Sequence, residues 1–190
     1  FAIAKLGWIQ QQRRRLLAQT RETQRDYVDR ESHQIWGRRV LLTVVEKDSA
    51  PSVTVHHRKM ILSVRPGTGR QQRQEILERW YRDQVRLVAE TLIPKWEKRL
   101  KVKIQRFFVQ RMRTKWGSCN PASKNIRLNT DLAKKPPECL EYILVHELVH
   151  LLEPTHNARF IAWMDRALPQ WQLLRQQLNQ LPLRHEDWDD

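Results

Sequence analysis

Residues 146–156 read HELVHLLEPTH, and three of the chain's seven histidines fall in them, with a glutamate directly after the first. A neutral imidazole is the commonest metal ligand, and a carboxylate beside it can move a proton. Successive helix residues rotate by about 100°, so His150 lies about 40° from His146 and one turn along. Both rings then emerge on one face, close enough to share an ion. Glu147 stands about 60° from His150, beside the pair. Leu140, Leu144, Leu148 and Leu151 share the opposite face. Such a helix has an apolar back for the core and a front that carries two ligands and an acid.

Catalytic zinc takes three protein ligands and keeps one position open. The third is expected to be His156, because Pro154 ends the helix and lets the chain turn back under the ion. The five-residue gap matches the pattern HExxHxxGxxH, although Glu153 stands where that pattern has glycine. Glu153, Asp165 and Glu186 are the rivals. A still-helical Glu153 would sit about 10 Å beyond His146 along the axis, and Cys139 about 10 Å before it. Cys139 therefore reads as a small packed residue, and Tyr142 as packing or as a hydrogen-bond donor to a developing oxyanion. The expected centre is one zinc ion on His146, His150 and His156. Its bound water would titrate near neutral pH, with Glu147 as catalytic general base. Hydrolysis of a peptide bond would then need no covalent intermediate. A closed structural zinc site would have no use for Glu147.

The elements that must position these groups can be read around them. Residues 1–36 are polar and helix-friendly, with Trp8, Ile9, Leu16 and Leu17 on one side and Arg13, Arg14 and Arg15 as a solvated run. VLLTVVE, SVTVHH and MILSV, between Val40 and Val64, are β-branched runs that predict a small antiparallel sheet. His56 and His57 would point to opposite faces there and cannot chelate one ion. Ile76, Leu77, Trp80, Tyr81, Val85, Val88, Leu92 and Trp96 predict a long helix with a kink at Pro94. Residues 102–112 predict a strand, and WGSC, NPASKN and NIRLN a strand, a loop and a strand. NIRLN is the candidate edge for an extended peptide substrate. Pro136 and Pro137 open the histidine helix, with Glu138 and Glu141 in its first turn. Asn157 is expected to cap a further helix with Phe160, Trp163, Met164 and Leu168 on one side. A last helix covers about 170–181, and residues 184–190 form an acidic tail. The domain that carries the histidines is thus expected over 37–183, in an α+β fold with a mostly antiparallel sheet.

The chain's 190 residues suffice for a core without staples, and eight tryptophans argue against disorder. Cys119 and Cys139 make no disulfide framework. No apolar run spans a bilayer. With no signal peptide either, a cytoplasmic protein without a membrane partner is expected. The chain opens with Phe1, which is read as a sign of truncation. The net charge is 35 − 21 = +14. That excess favours polyanions, so nucleic acid or a nucleotide joins a peptide or protein as candidate partner. The basic residues read as spread along the chain. Arg111, Arg113, Lys115 and Arg127 flank the NIRLN region as a surface stripe, and in a functional role would favour an acidic or phosphorylated substrate.

RTKWGSC at 113–119, IRLN at 126–129, LEYILVHELVHLLEPTH at 140–156 and ARF at 158–160 resemble the YgjP-like metallopeptidase family, related to the SprT-like zincins. The resemblance runs from about Trp8 to Leu181. It implies a zincin-type α/β fold, zinc on His146, His150 and His156, and Glu147 as general base. It also implies a further strand before the position of Phe1, without which the first sheet has an unpaired edge. Two other functions stay open at this point. One is a metal-dependent nucleoside triphosphate pyrophosphohydrolase, weakened by the lack of a Gly-rich phosphate loop. The other is a DNA-associated SprT-like protease, which strong salt dependence of binding would mark.

Overall fold

Alternating apolar side chains build the first of two sheets. The computed structural model describes residues 25–180. The helical reading of residues 1–24, the acidic tail and the rival ligand Glu186 lie outside them. Four strands, β1 (Ser32–Ile35), β2 (Arg38–Glu46), β3 (Ser52–His56) and β4 (Lys59–Val64), lie in the order β1-β2-β4-β3. Ser32–Ile35 is thus a strand, not the end of a helical segment, and Tyr27 before it reaches the core. The sheet is not wholly antiparallel as expected: β2 and β4 pair in parallel, from Leu41↔Lys59 to Glu46↔Val64. Burial explains the order. Met60, Leu62 and Val64 of β4 are buried, whereas β3 alternates half-buried and exposed residues. The more apolar strand takes the inner place, and β3 becomes the edge. His57 leaves the strand for the turn between β3 and β4, at φ 52°, and both it and His56 are exposed.

Helix α1 (Arg70–Leu100) buries Leu77, Tyr81, Val85, Ala89, Ile93, Trp96 and Leu100, nearly all at four-residue steps. The helix continues without a break through Pro94, which is exposed. After α1 the chain forms β5 (Arg106–Gln110), β6 (Gly117–Asn120) and β7 (Asn125–Asn129), in the order β5-β7-β6. NIRLN is therefore the central strand, not an edge. Its Ile126 and Leu128 are fully buried, which a central position rewards. Among the described residues, the edge beside the histidine helix belongs to β6, the WGSC strand.

A 3-10 turn over Thr130–Lys134 leads into α2 (Pro137–Val149), then α3 (Ala158–Ala167) and α4 (Trp171–Gln180). Pro137 takes the first helical position of α2, where its missing N–H costs nothing. Asn157 caps α3 by accepting from the N–H groups of Arg159 and Phe160. No described helix is long and apolar enough to cross a membrane.

Candidate metal centre

Helix α2 is held from both sides. Its back presents Leu140, Leu144 and Leu148, all fully buried. At its start Lys95 Nζ and Trp96 Nε1 of α1 each donate to Glu141 Oε1 at 2.8 Å. Burial alone would raise the Glu141 pKa, but these bonds and the nearby cations bring it below the ordinary value. The helix ends at Val149, with His150 as its cap. Glu153 lies just past the helix, which closes in a tighter turn: the Leu151 and Leu152 N–H groups bond the Leu148 and Val149 carbonyls three residues back. That turn, followed by Pro154, does the work of the missing glycine and returns the chain to His146.

His146, His150 and His156 each offer one ligand atom, and these atoms lie within 4.8 Å of one another. Nε2 of His156 and Nε2 of His146 are 3.0 Å apart. Two nitrogens on one tetrahedral ion, with bonds of about 2.0–2.1 Å, stand about 3.3 Å apart, so the pair fits a shared cation. His150 Nδ1 is 3.2 Å from the Glu153 carbonyl, which selects the tautomer with Nδ1–H donating and Nε2 free for a metal. Burial, then the positive charges of His150, His156 and Arg175, lower the His146 pKa to about 3. Burial also lowers that of His150, against the opposing hydrogen bonds to Glu153 and Pro154. Neutral rings with free lone pairs are what a cation requires.

Phe160 of α3 lies under all three rings, with centroids 4.9, 4.7 and 4.7 Å from those of His146, His150 and His156. It is 2 % exposed and fixes the rings as a set. Sequence reading gave it only a place on an apolar helix side. Tyr142 meets His146 edge-on at 6.0 Å and stacks on Trp171 at 6.4 Å, so it packs the rear of the site. Asp165 is engaged elsewhere, accepting from Trp171 Nε1 at 2.7 Å. Cys139 is fully buried, and burial pushes its thiol up to about 11. Neither joins the cluster.

Glu147 is 5 % exposed; burial raises its pKa to about 8, against the pull of Lys115. Its carboxylate lies against the α-carbon of Gly117. A β-carbon there would stand 2.7 Å from Glu147 Oε1, 2.9 Å from Glu147 Cγ and 2.8 Å from Ile143 Cγ2. Every other residue type would push the acid aside. A glycine inside a strand commonly marks such a close approach, so WGSC carried a readable signal. Asn129 holds this stretch in place. Its Nδ2 donates to the Met112 and Lys115 carbonyls at 2.8 Å each, and its Oδ1 accepts from the Asp131 N–H that opens the 3-10 turn. In the sequence Asn129 is only the last residue of IRLN, with no role attached to it. Arg175, one turn after Trp171 on α4, is a further cation whose field reaches His146 and Tyr142.

A mixed α+β fold with HExxH on an inner helix, its acid beside an edge strand, goes with a metallopeptidase. The chain belongs to the YgjP-like family: residues 1–181 match its metallopeptidase domain. Two solved structures are similar at low identity. The metallopeptidase zymogen abylysin of Pyrococcus abyssi is 19 % identical over 47 % of this chain and 90 % of that one, with a TM-score of 0.44. The zymogen jannalysin of Methanocaldococcus jannaschii is 21 % identical over 53 % and 88 %, with a TM-score of 0.36. No curated protein matches the chain.

Proposed function

We propose that the chain is a zinc-dependent peptidase in which His146, His150 and His156 hold one ion and Glu147 is the general base. The observation that carries this reading is the convergence of three ring nitrogens within 4.8 Å beside a buried carboxylate. A zinc ion there would act as a Lewis acid and bring a water toward ionisation near neutral pH. Glu147 takes the proton of the attacking water and hands it to the leaving amine. Gly117 keeps its carboxylate at the reaction centre. The edge of β6 offers backbone groups to an extended peptide, which would pair as an added strand. Tyr142 and Phe160 hold the rings and keep water from their rear.

The test is parallel incubation of the zinc-loaded protein and its Glu147→Gln form with an unfolded protein and with nucleoside triphosphates. Cleavage of the polypeptide by the parent, reduced roughly 10²- to 10⁴-fold in the variant at equal zinc content, is expected. Cleavage of the triphosphates alone would replace this reading by pyrophosphohydrolysis.

A further inference from the structure

The basic excess is not evenly spread. Between Lys98 and Thr130 the chain carries ten Lys or Arg and no Asp or Glu, so 10 of the net 14 positive charges fall there. This stretch forms the whole β5-β7-β6 sheet and its approaches. The register sorts its side chains by face. Phe107, Val109, Ile126, Leu128, Gly117 and Cys119 turn inward. Phe108 faces Arg127, which faces Ser118; Arg106 faces Asn125, which faces Asn120. Arg106, Phe108, Gln110 and Arg127 are exposed on that outer face. Phe108 is 39 % exposed, uncommon for a large aromatic at the middle of a strand, and the Arg127 guanidinium lies 6.0 Å from its ring centroid. Arg106, Arg127 and Lys124, in the β6–β7 turn, make no ion pair among the described residues.

We propose that this outer face binds single-stranded nucleic acid. The chemistry is that of a stacking platform: an exposed ring between two arginines for a base, cations for the phosphates, and uncharged hydrogen-bonding side chains around them. The outer face of the strands, whose own residues include no acid, satisfies the charge requirement of a polyanion, and the central aromatic favours a nucleobase over an acidic polypeptide. The face points away from Glu147, since Gly117 belongs to the opposite, inward set. Binding there leaves the hydrolytic site open, and the surface is independent of the peptidase reading.

The experiment is fluorescence anisotropy of the full zinc-loaded chain with a labelled oligothymidylate, at about 50 and 200 mM salt. Binding that weakens steeply with salt is expected. Phe108→Ala should weaken it roughly tenfold or more, the usual effect of losing one stacked base. Arg106→Glu with Arg127→Glu should abolish it at the higher salt. Because all three side chains are exposed and lie away from the metal centre, peptidase activity of the variants should match the parent and reports their folding. Undetectable binding at the lower salt, or equal binding by parent and variants, would overturn the assignment. So would poly-glutamate competing as well as the oligonucleotide with no effect of Phe108→Ala; the face would then be a site for acidic proteins.

Discussion

The two sheets of this protein have opposite characters. The four-stranded sheet fills space: Val40, Leu42, Met60, Leu62 and Val64 are at most 1 % exposed and join the common core with ordinary apolar side chains. The three-stranded sheet keeps space empty. Its β6 is half-buried, and its decisive feature is the absence of a side chain at Gly117, where Glu147 approaches. Titratable groups follow the same division. In the first sheet His33 is 2 % exposed and touches Glu31 Oε1 at 3.0 Å, far from any ligand cluster. Beside the second, three imidazoles and an acid converge with unused lone pairs. Volume makes the first sheet a scaffold, and a gap in volume lets the second sit against the buried Glu147 carboxylate.

Substitutions can break this contrast. The largest effect should come from His150→Ala, which removes one of three nitrogens from the cluster. Stoichiometric zinc by mass spectrometry and all peptidase activity should be lost, while the circular dichroism of the fold remains. Gly117→Ala should keep zinc but lower kcat roughly tenfold or more with little change in KM, because overpacking by one methyl costs about 1–3 kcal/mol and displaces the base. Retained kcat would show that Glu147 has room to spare. In the scaffold sheet, Leu42→Ala should do the reverse. It should cost about 2–5 kcal/mol in urea unfolding, with kcat per folded molecule unchanged.

The smallest effect concerns pH. Glu31 favours a charged His33, but burial, with Arg25 and Lys134 adding to it, lowers the ring pKa from 6.5 to about 3. The fold thus prefers the neutral ring, and the unfolded chain binds the extra proton. This contribution is complete above pH 6.5 and is lost as the pH falls toward 3, at up to about 1.4 kcal/mol per pH unit. His33→Gln should flatten that part of the stability curve relative to the parent. His146, lowered similarly, is common to both proteins and cancels in the comparison. An unchanged slope would mean that His33 is already protonated in the fold.

The sequence was most informative where the relevant distances are short along the chain. His146 and His150 share a face because helix rotation is fixed by the backbone, and Pro154 had to end that helix before His156. Pro137, Asn157 and the four-residue stripe of α1 were readable for the same reason. Errors arose where neighbours in space are distant in sequence. The parallel pairing of β2 with β4 and the central place of β7 depend on which strand buries more apolar surface against a helix, and hydrophobic runs alone do not rank them. The charge concentration over Lys98–Thr130 was present in the letters but gained meaning only when the strand register placed Arg106, Phe108 and Arg127 on one face.

By itself, then, the sequence determined the three imidazoles, the acid between them and the helix that aims them, because these follow from local geometry and side-chain chemistry. Only the tertiary structure decided that Phe160 supports the rings, that Asn129 anchors the WGSC strand, and that Gly117 stands against Glu147. Those relations reach as far as 30 positions along the chain, from Gly117 to Glu147, and are made by packing. Close packing is a property of volumes meeting in space, and no local pattern encodes it.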